Sequence, residues 1–552
     1  MPDLLSLLGA LLVGLLYDPE QRGPFEPDPR LGAAAAAAGV LLAALFGRAL
    51  RRGPRGPGKG WARAYLAFRL HPLVVHAAVV HLFHWPTVAD AFGVGRCGAA
   101  VSVLLVLPFL ATQGVVWAWV WGIERPDAVE LRPWLGFHYR SAALLLLPYV
   151  FYAAATDALS LSRTARVLLR TWSVAEEAEV GAVLAALGIL LPVGARRIWK
   201  TRPLAPGALR DRLVDAARRL SFRCRDILVW DTAGLVANAA IVGFLARWRY
   251  VVFTDALLAA LRPEEVEAVF GHEAGHAKRR HVATFFAFAG AWALALLVVA
   301  RSYSPGGEGE ILAFLVPSAL LWWLGFGWLS RRFELEADLY GAAAVGDVGT
   351  FVSALERVGR VTGTRRGRGS WRHFSVGSRV AFLYLVASAP EVGERFLARV
   401  RRWIRLGLLA LVVAAAFHVL DLARRTPGEL GWAFVRLGDY VRAERLLARA
   451  APREEQARER LALARFGRAL FEHTGGRPAA ALERTRDALQ VGDLEFVGLV
   501  VALLDARVED PEGEETVREM KRLLEAKDRE GLEAFLDGKG RSAFERFSTA
   551  WP

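Results

Sequence analysis

The chain has 552 residues, 54% of them hydrophobic, yet it carries 70 Lys and Arg against 56 Asp and Glu, a net charge of +14. A mean hydropathy of +0.28 alongside that many cations excludes an ordinary soluble domain and describes apolar spans separated by basic loops. The arginines flank apolar runs, as in "GRALRRGPRGPGKGWAR" (47–63), "ARRIWK" (195–200) and "RVRRWIR" (399–405), instead of interleaving with aromatics in one patch. The expected partner is therefore a lipid bilayer and not nucleic acid.

Crossing a bilayer as a helix takes about 17 to 25 residues. Apolar stretches of that kind run over 97–121, 141–158, 180–193, 285–300, 311–329 and 404–420, with less continuous ones at 4–17, 31–50 and 64–85. The first of all, 4–17, follows Asp3 and no Lys or Arg, and no small-residue cleavage site comes after it. It reads as a membrane segment, not as a signal peptide. Nine spans counted from a cytoplasmic N-terminus put the basic loops on the cytoplasmic side, in keeping with the positive-inside bias. The same count sends the tail after Leu420 to the opposite side. Four histidines, His71, His76, His81 and His84, crowd one span. Only His81 and His84 share a helix face, so they read as polar lining of a bundle interior. The two cysteines, Cys97 and Cys224, build neither a disulfide framework nor a thiolate metal site.

A water-facing block follows. "DILVW" (226–230), "NAAIVGF" (238–244) and "RYVVFT" (249–254) are short β-branched and aromatic runs separated by turn residues, which predicts a small sheet. "LRPEEVEAVFGHEAGH" then predicts a helix, with Pro263 at its first position and Glu264 and Glu265 at its positive end. On that helix His272 and His276, four residues apart, present their imidazoles to one point. Zinc takes such nitrogens, and a catalytic site needs three protein ligands with one position left open. Glu273, next to the first histidine, is placed to take a proton from a water at the metal and pass it to a leaving amine. "SRRFELEADLYGA" (330–342) supplies the third ligand, Glu334. Asp338, one turn later, would accept a hydrogen bond from a ligand histidine and fix its tautomer. Glu336 points elsewhere on the helix and is the poorer ligand candidate.

These motifs, in this order across 204–383, resemble the integral-membrane zinc metallopeptidase family that holds the CaaX prenyl endoproteases and the HtpX heat-shock proteases, of the gluzincin type. The resemblance implies one Zn2+ per chain, bound by His272, His276 and Glu334, with Glu273 as catalytic base and Asp338 behind the ligands. It also implies that Asn238 and Ala239 form an edge strand that binds the substrate backbone by strand addition. "WRHFSVGSRVAFL" (371–383) resembles the family's late histidine and arginine segment. There His373 would donate to the oxyanion, and Arg379 would support it or a substrate carbonyl. The chain has His-Phe-Ser where many relatives have His-Pro.

From Arg424 the chain is polar and helical, and "ELGWAFVRLGDYVRAERLLARAAP" (429–452) has the pattern of a tetratricopeptide helix pair, with a looser copy at 466–489. "FLDG" (535–538) matches the site-2 protease aspartate motif, but it lies in a polar tail and not in a membrane span, which excludes that reading.

The expected fold is mainly α: a polytopic transmembrane helical protein with a zincin-type metalloprotease domain containing a small β-sheet, and an α-helical repeat-like C-terminal region. The expected layout is transmembrane helices over 1–200, the peptidase over 201–403 with its transmembrane hairpin at 285–329, a further span at 404–420 and the tail over 421–552. The expected function is a membrane-embedded zinc endopeptidase acting in CaaX-type processing or membrane-protein quality control, its site at the cytoplasmic surface of a bacterial inner or plasma membrane. Its partners would be peptide or protein substrates and a protein recruited by the tail. The alternative is an inactive scaffold or chaperone working through that tail. A transporter would show repeated halves of broken helices, and the sequence has none.

Overall fold

The computed structural model describes residues 2–15, 28–52, 59–95, 97–124, 129–243, 245–303, 308–490, 493–507 and 511–537. The end of the first apolar run (16–17), the tip of the basic loop at 53–58, Phe244 and residues 538–552, with Gly538 of "FLDG", lie outside them. The chain forms two compact units, Met1–Asp157 with Val183–Ala415, and Ala158–Ala182 with Ala416–Pro552.

In the first unit, Pro29–Arg52, Gly98–Ile123 and Leu131–Ser160 are helices long and apolar enough to cross a membrane, as is Pro390–Leu437, which runs on into the second unit. Two bent pairs, Gly60–His81 with Trp85–Ala91 and Ser173–Leu190 with Pro192–Ile198, raise the count from 4 to 6 among the described residues. That is fewer than the nine runs in the sequence. Pro2–Leu15 has only 14 residues, and the apolar part of the helix after the histidine motif, His281–Leu296, is also short of a span. The crowded histidines behave as bundle lining. His71, His76 and His81 reach the carbonyls of Gly39, Ala10 and Val13 at 3.3, 3.2 and 3.0 Å. The helices that carry those carbonyls thus gain partners for buried imidazoles, and no metal group forms there among the described residues.

The water-facing part builds a four-stranded sheet in the order β1-β2-β4-β3: β1 (Thr201–Pro203), β2 (Asp226–Trp230), β3 (Ala239–Val242) and β4 (Tyr250–Thr254). β2 and β4 are parallel, and β1 and β3 run antiparallel on the two edges. β1 is the strand that the sequence conceals: three residues ending in a proline fit only an edge. One sheet face packs on α1 (Ala208–Arg219) and α2 (Pro263–Lys278) through Leu213, Phe222, Ile227, Val251, Phe253 and Phe270.

The helix α2 begins as its sequence dictates, with Pro263 in the first turn and a capping box between Arg262 and Glu265. It stops at Lys278, where Arg280 takes a left-handed φ of 57° and turns the chain into α3 (His281–Tyr303). α4 (Glu308–Val345) returns and lays its C-terminal half along α2. Three glycines make that approach close. A Cβ on Gly341 would lie 2.9 Å from the backbone nitrogen of His272, and one on Gly271 3.2 Å from the Cα of Gly341. Gly275 faces Tyr340 and Ala337 in the same way. The glycines flanking the histidines in "GHEAGH" therefore bring the ligand helix within reach of Glu334.

Among the described residues, the second unit's regular elements are all helices. Its core is built from Tyr440, Leu447, Leu461, Leu470, Leu489, Val500, Met520 and Leu532, one helix after another. Residues 158–182, far away in sequence, join it. Ser173 Oγ and N both donate to Glu429, at 2.8 and 2.9 Å, and His418 Nε2 lies 2.7 Å from Glu177.

Candidate metal centre

His272 and His276 sit one turn apart on α2, with Nε2 atoms 3.2 Å from each other. Glu334 on α4 closes the triangle, at 3.8 Å from His272 Nε2 and 3.7 Å from His276 Nε2. Donors held at about 2.0–2.1 Å from one tetrahedral ion stand roughly 3.3–3.4 Å apart. The two imidazoles and one carboxylate therefore fit a single zinc-sized ion with little movement. Among the described residues this is the group of three or more such donors that converges within 4.8 Å.

What lies behind the imidazoles decides which nitrogen carries a lone pair forward. His272 Nδ1 is 3.0 Å from Asp338 Oδ1, and Arg379 Nε donates to Asp338 Oδ2 at 2.7 Å. That carboxylate is fully buried and holds the proton on Nδ1, leaving Nε2 to face the centre. His276 is held through a longer chain. Glu336 Oε2 lies 3.2 Å from His281 Nε2, and His281 Nδ1 lies 2.9 Å from His276 Nδ1. Burial lowers the pKa of His281, so it is neutral, with one donor and one acceptor nitrogen. A proton donated from Nε2 to Glu336 makes its Nδ1 the acceptor. His276 must then donate from Nδ1, and its Nε2 lone pair points at the centre.

His281 and Glu336 were not read from the sequence as site residues. His281 lies five residues beyond His276, outside the helical repeat, and reaches it only because Arg280 turns the chain. Glu336 does point away from the ligands, as its helix position predicts, but into the core and toward His281. Replacing His281 by Phe keeps the stacking on Phe333, whose ring centroid is 4.1 Å away, and removes the relay. The expected result is zinc binding weakened about 10–100-fold, measured by competition with a chromogenic chelator.

Glu273 faces the same cleft, and burial pushes its carboxyl up to about 7. Burial alone would also raise Glu334, but His373, His272 and Arg379 hold it below the usual carboxylate range. His373 Nδ1 lies 3.1 Å from Glu334 Oε2 and is partly exposed. Arg379 is buried, with its guanidinium committed to Asp338 and its Nη2 3.7 Å from Glu334. It faces the cleft from behind the ligands.

The cleft holds about 720 Å³. Asn238, Ala239, Ala240 and Ile241 line one wall, and among the described residues no strand pairs with the outer side of β3. Asn238 lies just ahead of β3, and its backbone is already paired inward: its N donates to Thr254 Oγ1 at 2.9 Å and its O accepts from Thr254 N at 3.0 Å. Alternation along an antiparallel ladder then turns the backbone groups of Ala239 and Ile241 outward. Asn238 offers the cleft a side chain only.

The profile of peptidase family M48 matches residues 207–403. The match spans a little over a third of the chain and includes every residue of the metal centre. The chain is 25% identical over 209 residues to a protease HtpX homolog of Herminiimonas arsenicoxydans, covering 34% of this chain and 70% of the relative. It is 27% identical over 223 residues to protease HtpX of Pasteurella multocida (strain Pm70), covering 38% and 77%. A CAAX prenyl protease 1 homolog of Arabidopsis thaliana is 27% identical over 161 residues, which is 26% of this chain and 38% of that protein. The crystal structure of S. mikatae Ste24p aligns with a TM-score of 0.39 at 15% identity, over 66% of this chain and 100% of that one, a likeness too loose to argue from. The chain is a metalloprotease, a hydrolase of peptide bonds, and its long apolar helices make it a membrane protein.

Proposed function

We propose that this protein is a zinc endopeptidase that takes an extended segment of a membrane-associated protein as an added strand on β3 and cuts it over His272, His276 and Glu334. One observation carries the reading: a carboxylate base, three convergent donors and an open strand edge share one cleft. Zinc held by these three side chains would supply a Lewis acid and a water acidic enough to react near neutral pH. Ala239 and Ile241 would bind the substrate backbone through N–H and C=O, a mode that demands little of its sequence, and the Asn238 amide would flank it. Glu273 would take the proton of the attacking water and return it to the leaving nitrogen. His373, exposed at the rim, would donate to the developing oxyanion. Arg379 would act through Asp338, keeping His272 in one tautomer.

The cleft is lined by Ser330 and Phe333, beside the basic end of 311–329, which supports a site at the cytoplasmic membrane surface. Both CaaX-type processing and removal of damaged membrane proteins present an extended chain there. The tail, together with 158–182, would recruit substrate or a partner as a helical-repeat module. The test is zinc-dependent cleavage of an unstructured protein by the full chain in detergent. Removal of zinc with 1,10-phenanthroline is expected to stop cleavage, and zinc but not magnesium to restore it. Cleavage persisting in zinc-free protein would remove the reading. A prenylated peptide and an unfolded membrane protein, compared in the same assay, separate the two substrate classes.

A further inference from the structure

The apolar parts of three helices near the metal centre line a second feature. Thr284, Ala287 and Phe288 of α3, Gly325, Trp328 and Leu329 of α4, and Trp403, Ile404 and Leu408 of Pro390–Leu437 line an apolar cavity of about 510 Å³. Through Trp328, Leu329 and Trp403 it joins a smaller one of about 160 Å³, whose walls include Phe374, Phe396 and two arginines, Arg332 and Arg399. At this level each of the three helices changes from apolar to basic: Lys278, Arg279 and Arg280 precede α3, basic residues follow Leu329 in α4, and basic residues precede Ile404. Tryptophans at that depth mark the boundary with the headgroups.

The two arginines set the chemistry. The Arg332 guanidinium stacks 4.2 Å over the Trp328 ring and donates to the Trp328 carbonyl at 3.1 Å. Arg332 is half-buried and Arg399 exposed, and among the described residues neither pairs with a carboxylate. Burial and the charges of Arg331 and Arg399 push the Arg332 guanidinium down, so the two cations are close enough to repel. Two like charges with no carboxylate partner, beside an apolar cavity, suit an anion that has an apolar body.

We propose that this pocket binds an acidic phospholipid, with its phosphate between Arg332 and Arg399 and an acyl chain in the cavity under Trp328 and Trp403. A choline headgroup would bring a third cation to the pair, and a free phosphate would leave the cavity unfilled. Basic pockets between membrane helices recognise acidic headgroups in this way. The proposal stands independently of the protease reading, because it concerns other residues and is read without activity.

The full chain, purified in detergent, would be titrated with phosphatidylglycerol and with phosphatidylcholine and followed by native mass spectrometry. Wild type is expected to retain one phosphatidylglycerol in preference to phosphatidylcholine. At about fivefold per charge, the double variant R332Q/R399Q is expected to weaken that retention on the order of 30-fold. The control R401Q/R402Q removes two neighbouring cations that do not line the pocket, and it should retain the lipid. Zinc content, expected to be the same in all three proteins, verifies the fold. Equal retention of both lipids by wild type, or equal loss in the two double variants, would overturn the site. Displacement of the lipid by an equal concentration of inorganic phosphate would overturn the lipid as its occupant.

Discussion

Glu273→Gln is expected to abolish cleavage and leave the metal bound. The amide keeps the size and most contacts of the carboxylate, but it cannot accept a proton at neutral pH. The side chain lies beside the ligands and is not among the donors that converge on the centre, so occupancy should stay at one zinc per chain. Proton transfer by a positioned side chain contributes roughly 10²–10⁴-fold, and that is the expected fall in turnover. A loss confined to turnover, with unchanged zinc content and unchanged binding of a non-cleaved peptide, is the specific signature. Equal cleavage by both proteins would refute the base. An inactive scaffold would show no cleavage in either, which separates that alternative with the same two samples.

How much of this site could be read before any coordinates depended on distance along the chain. His272, Glu273 and His276 were legible because one helical turn fixes their relation, and Asp338 because it stands one turn from Glu334. Glu334 itself needed the expectation of a third ligand, since nothing local says that α4 returns to α2. The glycines that allow this return, Gly271, Gly275 and Gly341, look in sequence like mere helix weakeners. The relay from Glu336 through His281 was illegible for a related reason. It crosses a left-handed turn at Arg280, and no periodicity extends through such a turn. At the level of the fold, three of four strands show the expected β-branched pattern, while β1 is too short to have one. The joining of 158–182 to the tail rests on pairs such as Ser173 with Glu429, more than two hundred residues apart and unmarked at either end.

Glu334→Ala should have the larger effect on the metal itself. Loss of a partner behind a ligand costs about 10–100-fold in affinity, and loss of one of only three protein donors should exceed that. The variant leaves two imidazoles, still 3.2 Å apart and oriented by Asp338 and His281, with no carboxylate to complete the set. It also frees His373 and Arg379, both of which contact Glu334, so apoprotein stability must be measured beside occupancy. A ligand that binds only the folded state raises its stability in proportion to the logarithm of its concentration over Kd. Wild type should therefore show a zinc-dependent rise in Tm, which the variant loses at the same zinc concentration. Glu334→Gln, which keeps the size and one weaker oxygen donor, should fall between the two. If both variants held zinc as tightly as wild type, the third ligand would have to be another group, and the convergence of α2 and α4 would no longer explain the chemistry.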